Sequence, residues 1–360
     1  MAKLQKVLIM AGGTGGHVFP GLAVAKLLQE KGVKVEWLGT RNGLEARLVP
    51  ESHIPIHYIS IAGLRGKGAK EFVLAPWKLM VALFQSIKII RKIQPDIILG
   101  MGGFVSGPGG VASWLLQRPL IIHEQNAKAG LTNQWLARIA KKVLEGFPNT
   151  FAPHRQAITT GNPVRAEICN LPDPEVRFKN RAPALRLLVV GGSLGAAAIN
   201  QLVPKALATM PLEERPEVYH QTGEKHFQET LSAYSKSGVK AEIKSFITEM
   251  DEAYAWADIV LCRSGALTVA ELCAAGVGAI FVPFPFAVDD HQTANASFMV
   301  NNKAACLVQQ ADLTPEKLVQ LLKELQSERE KCFLMAQSAY KSRKIDAAEH
   351  VMKICEEICR

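Results

Sequence analysis

The chain lacks several things that would have fixed its class at once. No Cys-x-x-Cys pair occurs, and all seven cysteines lie between Cys169 and Cys359 at spacings that suit neither a zinc site nor a redox pair. An odd number of unframed cysteines is the usage of reduced thiols in a cytoplasmic protein. No apolar run reaches the roughly 20 residues that span a bilayer. The most apolar stretch, Phe72–Phe84, is interrupted by Pro76 and Lys78. Val7–Ala11 runs straight into glycines, which reads as a buried strand rather than a signal-peptide core, so export is not expected. There is no Asp-x-Asp and no His/Cys cluster at ligand spacing, so neither a metal nor a cofactor is expected. Gly-x-Gly-x-x-Gly is also missing. The strand Val33–Leu38 leads into Gly39-Thr40-Arg41 instead of a ribose-binding acid, which argues against a nicotinamide dinucleotide.

What is present describes a globular chain. With 360 residues, 48% of them apolar and 21% charged, there is room for two α/β domains of ordinary size. The net charge of +9 favours an anionic partner, whether nucleic acid, anionic lipid or a phosphorylated substrate, and is equally compatible with mere solubility.

Short β-branched runs alternate with amphipathic segments from the N-terminus. The runs are Val7–Met10, Val33–Leu38, Ile56–Ile61, Asp96–Leu99, Leu120–His123 and Val143–Phe147, with helices expected near Pro20–Lys31, Glu71–Ile93 and Leu131–Lys141. The pattern restarts at Leu185–Val190 and continues through Glu217–Gln221, Ala241–Phe246, Asp258–Cys262 and Ala279–Pro283. Gly161-Asn162-Pro163 marks the boundary, followed by a Pro-rich, charged linker at Leu171–Pro183. The expected fold is α/β, two doubly wound Rossmann-like domains at 1–163 and 164–342, facing across a cleft. Ligands would lie beyond the carboxyl ends of the strands. A weak internal repeat agrees: Val7–Gly16 and Leu187–Gly195 are each a strand feeding glycines.

Glycines 12, 13, 15 and 16 allow a tight turn and close backbone approach, and the helix start after them suits an anion. The turn Gly100–Gly110 offers a second such start, and Gly191–Gly195 repeats the logic in the other half. Tight strand-to-helix packing explains many glycines equally well. In Arg263–Glu271 a glycine again precedes a helix. Glu271 there suits a ribose diol, or simply a solvated position near a helix start.

Five motifs then occur in one order: Gly-Gly-Thr-Gly-Gly-His-Val-Phe-Pro-Gly from Gly12, Gly-Leu-Arg-Gly-Lys-Gly from Gly63, Met-Gly-Gly-Phe-Val-Ser-Gly-Pro-Gly-Gly from Met101, His-Glu-Gln-Asn from His123, and Cys-Arg-Ser-Gly-Ala-Leu-Thr-Val-Ala-Glu from Cys262. From about Lys6 to about Ala296 the chain resembles the MurG family, the undecaprenyldiphospho-muramoylpentapeptide β-N-acetylglucosaminyltransferases. The resemblance implies a GT-B fold. The second domain would hold UDP-N-acetylglucosamine and the first would meet the lipid-linked muramoyl-pentapeptide, with residues 343–360 packing back on it.

Carried across, the donor-site positions are Thr14, Gly15, Gly16, Asn126, Arg165, Ser193, Ile247, Ala266, Leu267, Thr268, Val269, Ala270, Glu271 and Gln292. Ser193 and the N–H groups of Gly192–Gly195 would bind the diphosphate, Ile247 the uracil through its backbone, Glu271 the ribose, and Gln292 either the sugar or its own helix start. Gly102, Gly103 and Ser106 would serve the acceptor diphosphate. Attack of the acceptor's C4 hydroxyl with inversion needs a general base. His17, at a helix start that favours the neutral imidazole, is the first candidate and Glu124 the second. Neither a cofactor nor a nucleic-acid partner is implied.

A polyprenyl carrier keeps the acceptor in the bilayer, so the family's place is peripheral, on the cytoplasmic face of the cell membrane. Further partners would come from the cell-wall synthesis proteins. Phe72, Val73, Leu74, Trp77, Leu79, Met80 and Phe84, interleaved with Lys67, Lys70, Lys78, Lys88, Arg91 and Lys92, fit a helix lying on anionic lipid, and also fit an ordinary core stripe. A UDP-sugar epimerase would share the nucleotide site but has no use for the 63–68 loop or the basic, aromatic helix after it.

Overall fold

Ile97–Gly100 and Leu120–Glu124 show no alternation of polar and apolar residues, and every residue in both is buried. A strand of that kind belongs inside a parallel sheet covered on both faces. The computed structural model describes residues 4–61, 69–179, 181, 183–192 and 195–359, with the backbone alone at 69–73 and 288, and it builds two such sheets. The chain divides into one unit of Met1–Arg165 with Ile345–Arg360 and another of Ala166–Lys344. The 63–68 loop and Ser193 lie outside the described residues.

In the first unit β1 (Lys6–Met10), β2 (Lys34–Gly39), β3 (Ile56–Tyr58), β4 (Ile97–Gly100), β5 (Leu120–Glu124), β6 (Lys142–Glu145) and β7 (Ile158–Thr159) run parallel in the order β3-β2-β1-β4-β5-β6-β7. In the second, β8 (Arg186–Val190), β9 (Glu217–Gln221), β10 (Glu242–Lys244), β11 (Ile259–Cys262), β12 (Gly278–Phe281) and β13 (Ala305–Leu307) take the order β10-β9-β8-β11-β12-β13. Both orders reverse direction beside the first strand, at β1/β4 and at β8/β11. These are the switch points where an open sheet leaves room for ligand.

Two departures from the sequence expectation bear on the site. The first helix runs over Gly15–Glu30, not from Pro20. Thr14 starts it: its carbonyl accepts from the N–H groups of His17 and Val18, at 3.1 and 3.2 Å. Pro20 is held inside, where it lacks the N–H that would bond to the Gly16 carbonyl. His17 therefore sits in the first helical turn. The helix expected over Leu131–Lys141 ends at Leu136 and gives way to turns.

The C-terminal helix Ala347–Ile358 belongs to the first unit. Its Val351, Met352, Ile354 and Cys355 join Val18, Ala25 and Leu28 of the helix Gly15–Glu30 in one core. Burying that stripe is what makes an amphipathic 12-residue helix stable, since so short a helix is marginal alone.

Candidate active site

At the carboxyl end of β1 the chain turns through Gly12 and Gly13, and Gly13 takes φ +94°, where a side chain would be strained. Its N–H does not wait for an anion. It donates to the buried carboxylate of Glu45 at 2.9 Å, and that carboxylate also accepts from the Thr40 N–H at 2.8 Å and the Thr40 hydroxyl at 2.7 Å. The first glycine turn is thus closed on an internal carboxylate, and the Gly13 N–H is already used. Gly15 and Gly16 remain as the open helix start, beside an exposed Thr14.

The neighbouring strand β4 delivers Gly102 and Gly103, at φ +100° and +82°. A Cβ on Gly102 would fall 2.6 Å from His17 Nδ1, so glycine is what lets the imidazole lie against the turn. A Cβ on Gly103 would collide with the Gly12 carbonyl, so the two turns pack backbone to backbone. Ser106 is fully buried; its hydroxyl accepts from the Gly102 N–H at 3.2 Å and donates to the Gly102 carbonyl at 3.0 Å. Its expected role at an acceptor diphosphate is therefore corrected: it ties the turn that supports His17.

From the end of β5 comes His123-Glu124-Gln125-Asn126. Glu124 is buried and accepts four hydrogen bonds: from the Asn126 N–H and side-chain amide, both at 3.0 Å, from the Gly130 N–H at 3.1 Å and from the Asn133 amide at 2.9 Å. A carboxylate so engaged organises the loop and holds Asn126. It is poorly placed to take a proton, which counts against it as the base. His17 instead meets Gln125, with Nδ1 2.9 Å from Oε1, and the Gln125 amide nitrogen lies 3.0 Å from His123 Nδ1. His123 Nε2 lies 2.9 Å from the Gly161 carbonyl. Burial pushes the His123 imidazole down to about 4, against smaller opposing effects of that carbonyl and of Glu124. Arg165, the last residue of this part of the unit, sets its guanidinium 5.7 Å from the Phe19 ring centroid. The structure brings His17, Gly102 and Gln125 into one cluster.

The second unit gathers the remaining positions along the carboxyl edge of its sheet. The turn after β8 closes on Gln221, whose Oε1 accepts from the Gly192 N–H at 2.9 Å while its amide donates to the Gly192 and Ser245 carbonyls. The Gly195 N–H is taken by the Gly192 carbonyl at 3.0 Å. Gly192 and Gly195 therefore shape the turn rather than supply free donors, a correction to the glycine reading.

After the adjacent β11, Ala266, Leu267, Thr268, Val269 and Ala270 form the first turns of the helix Ala266–Ala275, started by Gly265 in extended conformation. Glu271 is buried there, 7% exposed, and accepts from the Tyr254 hydroxyl at 3.1 Å. A buried carboxylate near a helix start is far from the solvated alternative. Ile247 is buried in the segment after β10. Gln292 opens the helix His291–Asn301, and its Oε1 accepts from the Phe284 N–H at 2.8 Å, leaving the amide hydrogens for other contacts.

Glu45, Gln125, His123, Tyr254 and Gln221 carry much of this geometry and were not singled out from sequence. Gln125 stood inside a quoted motif, where weight fell on its charged neighbour. Glu45, Gln221 and Tyr254 come from distant segments with no local signal.

Two parallel Rossmann-like units, each with a glycine turn at its switch point, are the architecture of the GT-B fold, and the family models that match both units make the class a glycosyltransferase. The family model for the glycosyltransferase family 28 N-terminal domain matches residues 7–145, and that for the C-terminal domain matches residues 186–351. A relative from Marinobacter nauticus, named UDP-N-acetylglucosamine--N-acetylmuramyl-(pentapeptide) pyrophosphoryl-undecaprenol N-acetylglucosamine transferase, is 53% identical over 98% of this chain and 97% of its own. One of the same name from Nitrosococcus oceani is 51% identical over 98% of each. The crystal structure of the Acinetobacter baumannii MurG superposes with a TM-score of 0.83 at 41% identity, covering 98% of this chain and 99% of that one. The chain belongs to the MurG family of glycosyltransferases, within glycosyltransferase family 28.

Proposed function

We propose that this enzyme transfers N-acetylglucosamine from UDP-N-acetylglucosamine to the C4 hydroxyl of undecaprenyl-diphospho-N-acetylmuramoyl-pentapeptide, completing the lipid-linked disaccharide of peptidoglycan. The observation that carries it is 51–53% identity, over 98% of the chain, to transferases of that name, together with an intact cluster around His17. In the reaction the C4 oxygen bonds to the anomeric carbon with inversion, the anomeric carbon–diphosphate bond breaks, and UDP leaves with the electron pair. His17 takes the hydroxyl proton. Ala266–Ala270 and Glu271 hold the nucleotide, with Glu271 accepting from the ribose hydroxyls and the helix start facing the diphosphate. Thr14, Gly15, Gly16, Asn126, Arg165, Ile247 and Gln292 complete the donor contacts, and Gly102 and Gly103 border the acceptor's diphosphate.

The test is transfer of labelled N-acetylglucosamine to a short-chain analogue of the lipid-linked acceptor, in detergent and with a chelator present. Label on the acceptor supports substrate class, reaction and metal independence together. Label remaining on UDP, with UDP still bound in calorimetry, defeats the acceptor assignment.

The enzyme works peripherally on the cytoplasmic face of the membrane through the first unit. On the helix Ala69–Ile93 the inward positions are small at Ala75 and Ala82 and larger at Ile90 and Ile93. Leu74, Trp77, Leu79, Met80 and Phe84 are left exposed, with Lys88, Arg91 and Lys92 exposed further along. The helices Ser106–Leu115 and Leu131–Leu136 pack on in turn and add Trp114, Leu115, Leu131 and Trp135. Arg138 lies 4.1 Å over the Trp135 ring. No helix among the described residues is long and apolar enough to cross a membrane. An exposed apolar group of this size with basic residues at its margin suits anionic lipid. Sedimentation with anionic vesicles should fall in Trp77→Ser/Phe84→Ser, while transfer to a short-chain acceptor persists; unchanged sedimentation removes this face from membrane binding.

A further inference from the structure

The chain of contacts behind His17 has a direction. Its far end is the Gly161 carbonyl, which can only accept, and His123 Nε2 lies 2.9 Å from it. The Thr160 hydroxyl lies 3.1 Å from the same nitrogen and donates its own proton to that carbonyl at 2.9 Å, so it too can only accept from His123. His123 must therefore carry its proton on Nε2. Burial keeps the ring neutral, down at about 4, so Nδ1 is a bare lone pair.

The group facing that lone pair at 3.0 Å must be a donor, and it is the amide nitrogen of Gln125, which also donates to the His123 carbonyl at 3.2 Å. The Gln125 backbone is pinned in turn, its carbonyl accepting from the Asn162 amide at 2.9 Å. With the amide oriented this way, Oε1 faces His17 Nδ1 at 2.9 Å and can only accept. Gln125, His123 and Thr160 are each no more than 1% exposed, so solvent offers no alternative partner.

We propose that Gln125, oriented by His123 and the Gly161 carbonyl, is a positioning residue that fixes His17 in the tautomer with its proton on Nδ1 and the Nε2 lone pair free. Free histidine prefers the opposite tautomer, which would leave Nε2 unable to accept a proton. The carboxylate that orients a catalytic imidazole in hydrolase triads is replaced here by a neutral amide. The ring is thereby aligned without a negative charge being placed beside the reacting groups. The inference rests on the reading of His17 as the base.

Nitrogen-15 shifts of the imidazoles, correlated with the ring carbon-bound protons, report each tautomer directly, and His17→Ala assigns the His17 signals by their loss. In the wild-type protein at a pH where the ring is neutral, His17 should show a protonated Nδ1 and a bare Nε2. A proton on Nε2 there overturns the proposal with no variant needed. In Gln125→Met, of similar size but without the amide, the ring should move toward the Nε2-protonated form. Its kcat should fall ~10–100-fold while UDP affinity holds, and the melting temperature should drop by the modest amount that the unpaired His123 acceptors cost. An unchanged tautomer, or parallel losses of kcat and UDP affinity, makes Gln125 a structural residue only and defeats the proposal. The underlying reading fails separately: near-normal kcat in His17→Ala removes His17 as the base, whereas loss in His17→Ala with none in Gln125→Met removes Gln125 alone.

Discussion

The two glycine turns begin from nearly the same sequence pattern and end with different electrostatics. After β1, the Gly13 N–H is closed by the Glu45 carboxylate; after β8, the Gly192 N–H is closed by the neutral amide of Gln221. Both devices satisfy a backbone donor that would be costly to leave unpaired. Only the first turn is closed by a side chain of acidic type, and it packs against the turn whose Gly102 makes room for His17. In the proposed reaction the first turn serves His17 and the second the donor's phosphates.

The sharpest way to break that division is His17→Ala. If the first turn serves chemistry, kcat should fall ~10²–10⁴-fold with donor affinity nearly intact, as steady-state kinetics and calorimetry with UDP would read. A large loss of donor affinity would instead make the first turn a binding element.

Acid compares the two units through their buried histidines. His123 is pushed down to about 4 by burial, and His220, held between Asn200 and Tyr234 in the other unit, to about 3 by the same cause. Both depressed values mean that the unfolded chain binds protons first. Stability is therefore full above about pH 6.5 and falls as pH drops toward 4 and 3, by on the order of 3 kcal/mol for His123. The urea midpoint should decline between pH 7 and 4; a flat midpoint would contradict a neutral His123 in the folded state.

Glu45→Gln comes next. It sets an amide hydrogen against donors that need an acceptor and should cost ~1.5–3 kcal/mol in urea unfolding. Gln221→Glu makes the second turn resemble the first in charge. It should weaken UDP about tenfold in calorimetry relative to Gln221→Met, which loses the same two donated hydrogen bonds, and the accepted one besides, without adding charge. Equal affinities in the two variants would show that the charge beneath the turn is irrelevant. The smallest effect belongs to Tyr254→Phe, which frees one bond to Glu271 and should raise the donor KM ~2–10-fold with kcat unchanged.

The fold was largely legible because uninterrupted apolar runs such as Ile97–Gly100 have one stable use, inside a covered parallel sheet. Boundaries were less so: Pro20 looked like a helix start, yet the Thr14 carbonyl begins the helix earlier. Of the site, the glycines, His17 and Glu271 stood out by type and position. Ser106 and Glu124 looked equally available and proved to be committed, because sequence shows that a group can bond but not whether a neighbour already uses it.

The sequence by itself determined the class of fold, the family and the strands whose ends carry the chemistry, since these follow from local periodicity and contiguous motifs. Tertiary structure decided which polar groups stay open. Glu45 reaches Gly13, Gln221 reaches Gly192 and Gln125 stands between His123 and His17 only because parallel pairing brings the ends of distant strands to one edge. A buried donor then takes the nearest acceptor in space, wherever that acceptor lies along the chain.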